Sequence, residues 1–357
     1  MTEGERASPT AHHHLAVVPP GLEAVLAREL DALGLGPAHR SPGHVAFEAD
    51  DAGLCRALLW LRTASRVLRV LDRTRIVRTF PELCRTLERI GWDRVLPAGA
   101  PIVLNVAASK SQLYHERAIA QRIMAVLGPR GDADGPPQSL HVHLERDRLT
   151  LSLDATGEHA HRRGYRLATA KAPIRENLAA GILLSLDWEG AALVDPMCGS
   201  GTFPIEAALM AERVPPGAER TFSAEAWTSL GPLMQLARAA ALRERRAPGP
   251  IEGSDRVAGA VGAATENAAR AGVHVTFLQR DVRELGPDTD EGTLIANLPY
   301  GRRVDNDSAA IGAWLDLLER RPRWRGVALT PRRELPGHRA HLRLSNGGIP
   351  IWVHVRG

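Results

Sequence analysis

Val194-Asp-Pro-Met-Cys-Gly-Ser-Gly-Thr202, continuing into Phe203-Pro-Ile-Glu-Ala-Ala-Leu209, is the stretch that decides how this chain folds. An apolar strand, Ala192-Leu-Val194, runs into a glycine-rich turn that opens on a helix carrying Ile205, Ala208 and Leu209. Such a turn lets a ligand approach the backbone where any Cβ would collide, and a helix N-terminus lies behind it. Turns of this kind serve phosphates, dinucleotides and S-adenosylmethionine alike. This one lacks both the Gly-Lys-Ser/Thr of a phosphate loop and the third glycine of a dinucleotide fingerprint. Asp195, at the strand end, suits a ligand bearing an ammonium group.

Outward from the turn, helix and strand alternate regularly. Short apolar strands at Ala192–Val194, Thr293–Ala296 and Val327–Leu329 are separated by helical segments, which predicts a parallel, doubly wound sheet. The tail, with Ser345-Asn-Gly-Gly348 between two apolar runs, predicts a hairpin with an Asn-Gly turn. Upstream, residues 12–72 read β-α-β-α-β and suggest a ferredoxin-like unit. Residues 73–154 continue with mixed elements, and the polar, basic stretch from Gly157 to Lys171 looks like a linker.

Three further motifs carry chemistry. Ile251-Glu-Gly-Ser-Asp255 ends a strand with an acid able to accept hydrogen bonds from ribose hydroxyls; Asp255 is better aligned than Glu252, though a helix cap is the plain alternative. Asp281, in Gln279-Arg-Asp281-Val, ends a third strand, where it serves either as an acceptor for an adenine amine or as a turn acid. The sharpest is Ala296-Asn-Leu-Pro-Tyr-Gly301. The Asn297 side-chain oxygen and a backbone carbonyl of the turn can both accept from an NH₂ group, Pro299 stiffens the turn, and Tyr300 offers a face for the ring. Two acceptors aim the lone pair of such an amine at an electrophilic methyl, so placement and electrostatics carry the rate.

The chain has 357 residues, which fits two or three domains, with 44% hydrophobic and 24% charged residues, as in ordinary globular proteins. No apolar run approaches the ~20 residues of a membrane span, and no secretory leader is visible. Cys55, Cys84 and Cys198 have no CxxC spacing, so neither a disulfide framework nor a zinc ribbon fits, and a cytoplasmic setting is expected. Cys198 has no base nearby in sequence and reads as a packing residue rather than a nucleophile. His12-His13-His14, His141-x-His143 and His159-x-His161 lack further ligands, so no metal is expected. Net charge is only +4, yet all the bases except Lys110 and Lys171 are arginine. Ten arginines face four acids between Arg56 and Arg94, and eight face Glu334 alone between Arg320 and Arg343. Such clusters suit phosphate contact, or a solvated face.

Asp195-Pro-Met-Cys-Gly-Ser-Gly-Thr202 together with Asn297-Leu-Pro-Tyr-Gly301 resembles the class I S-adenosylmethionine-dependent methyltransferases that act on guanine N2 of RNA, in particular the bacterial members with an N-terminal THUMP domain. Ala172-Pro-Ile-Arg-Glu-Asn-Leu-Ala-Ala180, Pro215–Trp227, Leu58–Val67, Ser111-Gln-Leu-Tyr-His115, Asp154–Gly157 and Arg163-Gly-Tyr165 extend the likeness to nearly the whole chain. The resemblance implies an α/β architecture: a tail over 1–11, a ferredoxin-like subdomain over 12–72, a THUMP RNA-binding domain over 73–154 and a linker over 155–171. A Rossmann-like methyltransferase domain over 172–357 would follow, with a seven-stranded, mostly parallel sheet ending in an antiparallel hairpin.

It further implies S-adenosylmethionine as cofactor, held by Asp195, Pro196, Cys198, Gly199, Gly201, Thr202, Asp255, Asp281 and Asn297. Asn297, Pro299 and Tyr300 would hold a guanine unstacked from its RNA. Asn-Leu-Pro-Tyr departs from the Asn-Pro-Pro-Tyr-Gly-Glu-Arg usual in the ribosomal-RNA enzymes and resembles the tRNA-acting relatives; the glycine motif and the insertion after the first helix favour the ribosomal branch. The expected partner is therefore RNA, 23S ribosomal slightly ahead of transfer RNA, with a monomer favoured. A non-catalytic RNA-binding or assembly factor and a DNA-adenine or protein methyltransferase are the alternatives.

Overall fold

The computed structural model describes residues 11–97, 99–128, 135–167, 173–241, 249–284, 291–299 and 307–357. In chain order the elements are β1 (His12–Val17), α1 (Glu23–Ala32), β2 (His39–Ser41), β3 (His44–Ala49), α2 (Asp51–Trp60), β4 (Arg66–Ile76), α3 (Phe80–Glu88), α4 (Trp92–Val95), β5 (Ile102–Ser109), α5 (Glu116–Leu127), β6 (Gln138–Glu145) and β7 (Arg148–Asp154). There follow α6 (Glu176–Ser185), β8 (Leu193–Asp195), α7 (Thr202–Ala211), α8 (Leu230–Ala241), β9 (Ile251–Asp255), α9 (Ala258–Ala271), β10 (Thr276–Gln279), β11 (Gly292–Asn297), α10 (Asp307–Glu319), β12 (Trp324–Thr330), β13 (Arg339–Asn346) and β14 (Ile349–Arg356). The chain forms two compact units. The first comprises residues up to Val17, Ala27–His159 and Thr221–Ala240; the second comprises Val18–Leu26, Ala160–Arg220 and Ala241–Gly357.

The first unit is built on one seven-stranded sheet in the order β2-β3-β1-β4-β7-β6-β5. The eleven-residue β4 pairs with β1 along one edge and with β7 along the other, with register irregularities at Val70/Asp72 and Arg73/Arg75. A single long strand thus serves both halves, and residue 72 lies inside it. β1 begins at His12, earlier than the apolar run predicts, because the histidines alternate with the sheet: His13 is exposed, whereas His14 is buried and stacked on Phe47 with ring centroids 5.1 Å apart. Residues 221–240 return to this unit. There Trp227 Nε1 donates to Gln138 Oε1 at 2.8 Å, and the Arg69 guanidinium lies 4.9 Å from the Trp227 ring centre.

The second unit carries a seven-stranded sheet in the order β10-β9-β8-β11-β12-β14-β13. β10, β9, β8, β11 and β12 run parallel, and β14 and β13 close the edge antiparallel. This is the parallel, doubly wound sheet that the alternation predicts, with the antiparallel C-terminal hairpin that the resemblance implies. α6 and α7 are apolar on nearly every face because they are enclosed: Leu178, Ile182, Leu183, Phe203, Ile205 and Ala208 are all buried. The terminal hairpin turns on Gly347-Gly348, with φ 58° and 86°, while Asn346 still pairs with Ile349. The predicted Asn-Gly turn is therefore displaced by one residue, since two successive left-handed positions favour Gly-Gly.

Candidate functional site

The carboxyl ends of β8, β9 and β11 lie side by side, since β8 pairs with both neighbours, and each delivers one predicted residue: Asp195, Asp255 and Asn297. In an open α/β sheet, this edge beyond the strand ends is where ligands bind. The turn after β8 is held from β9. Cys198 N donates to Ser254 O at 2.9 Å and Gly199 N to Asp255 Oδ2 at 3.1 Å, while Asp255 Oδ1 accepts from Val257 N at 2.9 Å. Asp255 therefore pins the turn and retains free lone pairs for a ligand. Glu252 is paired with Arg280 at 3.2 Å, which separates the two acids that the sequence left open.

Gly199 and Gly201 take left-handed backbones, φ 55° and 84°. A Cβ on Gly201 would lie 2.9 Å from Phe277 Cζ and 3.0 Å from Ala264 Cβ, so this glycine is needed for packing beneath the turn. Pro196 and Cys198 are buried. Burial beside Asp195 and Asp255 pushes the Cys198 thiol far up, in keeping with a packing role. Thr202 opens α7, and its hydroxyl accepts from Arg166 Nη2 at 2.9 Å. Asp281 has both oxygens in the fork of Arg283, at 2.8 and 2.9 Å, which holds its carboxyl down at about 2. An adenine amine would share an acceptor already committed to a guanidinium.

Two acceptors at this edge are short of donors. Asp195 is 2% exposed, and its bond from Met197 N at 3.0 Å does not offset burial, which, with Asp255 nearby, raises its pKa from 3.8 to about 8. Asn297 Oδ1 is buried with no hydrogen-bond partner among the described residues. A cation beside Asp195 and an NH₂ group beside Asn297 would satisfy both, which is the complement of S-adenosylmethionine and an exocyclic amine. Leu298 N donates to Leu329 O at 3.1 Å, a bond that proline at this position could not make. Pro299 is half-buried; Tyr300 lies outside the described residues. Among the described residues no group of three or more His, Cys, Asp or Glu could hold a metal ion, and no helix is long and apolar enough to cross a membrane.

The Asp195 environment makes a prediction about pH. Between pH 4 and 8 the folded chain binds one proton more at this group than the unfolded chain, so its contribution to stability falls as pH rises through that window. Asp195→Asn is expected to remove that component. At pH 8 the variant should melt above wild type by about 1 kcal/mol, roughly 1–2 °C at this size, while binding a cationic ligand more weakly. Parallel melting-temperature curves against pH for the two proteins would contradict the assignment.

Within the stretch that looks like a linker, residues 160–167 are part of this unit, residues up to His159 belong to the first, and 168–171 lie outside the described residues. Arg163 and Tyr165 are buried; Tyr165 Oη donates to Glu206 Oε1 at 3.1 Å, and Arg166 bridges Glu176 at 3.2 Å and the Ile174 carbonyl at 2.8 Å. Sequence reasoning missed this network beneath α7. The available signal was Glu206, the only charged residue on an otherwise apolar helix. The first arginine cluster also divides: Arg66, Arg69, Arg75 and Arg78 are paired with Asp154, Asp51, Asp72 and Asp147, whereas Arg56, Arg85, Arg89 and Arg94 are exposed.

Residues 163–332 match the family described as UPF0020, RMKL-like, methyltransferase domain, and residues 14–68 match the RlmL ferredoxin-like domain. A solved structure from Listeria monocytogenes str. 4b F2365, described as a predicted N6-adenine-specific DNA methylase, is 30% identical, with a TM-score of 0.85 over 98% of this chain and 96% of that one. The chain carries a methyltransferase domain of the RMKL-like family. SMU.472, solved complexed with SAH, is 28% identical, with a TM-score of 0.86 over 98% of both chains. The ribosomal RNA large subunit methyltransferase K/L of Syntrophotalea carbinolica is 34% identical over 94% of this chain and 52% of its own length. The family member described here thus spans about half the length of the curated relatives it matches.

Proposed function

We propose that this chain transfers a methyl group from S-adenosylmethionine to the exocyclic N2 amine of a guanosine in structured RNA, with 23S ribosomal RNA ahead of transfer RNA. The observation that carries this reading is the unpartnered, buried Asn297 Oδ1, at the same sheet edge as Asp195 and Asp255. The cofactor supplies an electrophilic methyl. Asp195 offers its buried carboxylate to the cationic methionine portion, Asp255 its remaining lone pairs to the ribose, and the Gly199–Gly201 turn an approach to backbone. Asn297 and the carbonyl of the following turn accept from the target amine and set its lone pair, Pro299 holds the turn, and Tyr300 stacks on the base. Asp281 faces the adenine only as far as Arg283 leaves an acceptor free.

The ribosomal preference draws on the relatives named large subunit methyltransferase K/L. The transfer-RNA reading draws on Asn-Leu-Pro-Tyr, in which Leu298 supplies a backbone bond to β12. Residues 73–154 are proposed as a THUMP domain gripping the RNA in the cytoplasm. A second reading, an adenine-N6 enzyme acting on DNA, is favoured by the name of the Listeria structure; both target groups are planar amines that Asn297 could hold. Tritiated cofactor incubated with bulk unmodified RNA and with DNA, followed by nucleoside analysis, separates the two. Label in N2-methylguanosine is expected, and label confined to DNA adenine or to protein would overturn the reading. A calorimetric titration without S-adenosylmethionine binding would leave a non-catalytic RNA-binding factor instead.

A further inference from the structure

The loop following β12 and the β13–β14 hairpin line an open cavity of about 550 Å³ within the second unit, with Arg333, Glu334, Leu335, His338, Trp352 and His354 among its residues. The methyl-transfer reading uses none of these residues. We infer that this cavity is a second nucleotide-binding site, taking the base and phosphate of a ribonucleotide that flanks the one presented to Asn297. The inference rests on the RNA reading above.

Placement comes first. β11 and β12 are parallel, with Asn297 in register with Leu329, and the loop begins just after Thr330, where β12 ends. Leu298 and Leu335 belong to one buried cluster with Trp314, so the Asn-Leu-Pro motif and the cavity loop share an anchor. Thr330 is in register with Trp352 on β14, two strand spacings (about 10 Å) from β11. A flanking nucleotide can span that distance.

The walls are fixed in advance. His354, itself 1% exposed, contacts the Arg332 carbonyl through Nε2 at 2.9 Å. Trp314 Nε1 donates to His338 Nε2 at 3.4 Å, which leaves the His338 proton on Nδ1, 2.8 Å from the Pro336 carbonyl. Burial lowers the His338 pKa, so the ring is neutral at physiological pH. Among the lining residues the positive charge is the Arg333 guanidinium, with the Glu334 carboxylate next to it in sequence, and Arg343 stands outside the lining against Trp352. Arg333 is exposed and has no ion-pair partner among the described residues, and Arg343 lies 5.7 Å from the Trp352 ring centre. A guanidinium for phosphate beside an indole for a base face is the pairing that binds single-stranded nucleic acid. The volume lies within the range of small-ligand sites. The second arginine cluster, from Arg320 to Arg343, thereby acquires a specific contact.

The test is retention of a labelled, unmodified ribosomal RNA fragment by the full chain over a salt series, without methyl donor. Arg333→Gln is expected to weaken binding about tenfold and to lower the salt slope by about one phosphate's worth, with Arg333→Lys restoring the slope. Trp352→Ala should weaken binding about ten- to hundredfold with little change in slope, as loss of a stacking face does; unchanged circular dichroism keeps that result interpretable. Wild-type affinity and slope in Arg333→Gln would overturn the inference. Failure of methyl transfer with the Arg333 effect intact would count against the catalytic reading alone, and transfer without that effect would count against this site alone.

Discussion

Asn297→Ala is expected to lower the rate of methyl transfer by about 10²–10³-fold while leaving S-adenosylmethionine binding within a few-fold of wild type. The side chain ends β11 with a buried oxygen that no group among the described residues satisfies. An acceptor kept unpaired in the absence of ligand costs stability, and it is regained only when a donor arrives. Loss of one preorganised polar group at a reacting centre ordinarily lowers turnover by this amount. The removed atoms lie at a strand end rather than in a packed interior, so the fold should persist, which circular dichroism and thermal melting would check. Retained transfer at the wild-type rate would remove Asn297 from the chemistry.

The second large effect is structural. Gly201→Val should destabilise the chain by about 3 kcal/mol, which at this size is a fall of roughly 4 °C in melting temperature, and should abolish measurable cofactor binding. Two costs combine. The left-handed backbone at φ 84° disfavours a β-branched residue, and a Cβ there meets Phe277 and Ala264 at 2.9 and 3.0 Å. Phe277 comes from β10 and Ala264 from α9, so relief of the clash would move the turn away from Asp255. Gly259→Ala, at a position on α9 with nothing within 4 Å of the added carbon, is the control and should change stability by no more than about 1 kcal/mol. Equal melting temperatures for the two variants would contradict the packing role of Gly201.

Much of this site was legible because its signals are local. A strand followed by Asp-Pro-Met-Cys-Gly-Ser-Gly needs only a few residues to specify a turn, and Asn297-Leu-Pro specifies a strand end and a rigid exit. The arrangement beneath was hidden because it depends on long-range pairing. Arg166 meets Thr202 across 36 positions, and Tyr165 meets Glu206 across 41. A polar stretch without periodicity reads the same whether its charges face water or one another. The continuity of β4 was hidden for a related reason: one strand pairing with β1 and with β7 is a matter of register between distant segments. The acids proposed for ribose and adenine were legible as residue types, but only the structure distinguishes Asp255, bound to the turn, from Asp281, held by Arg283.

The central claim is that Asn297 presents a guanine amine of structured RNA to a methyl donor. Mass-spectrometric mapping of N2-methylguanosine in ribosomal and transfer RNA, from cells with and without the gene, tests it most directly. Loss of one N2-methylguanosine from 23S ribosomal RNA, restored by the wild-type gene and not by Asn297→Ala, is the predicted result. An unchanged N2-methylguanosine map in both RNA classes would contradict it.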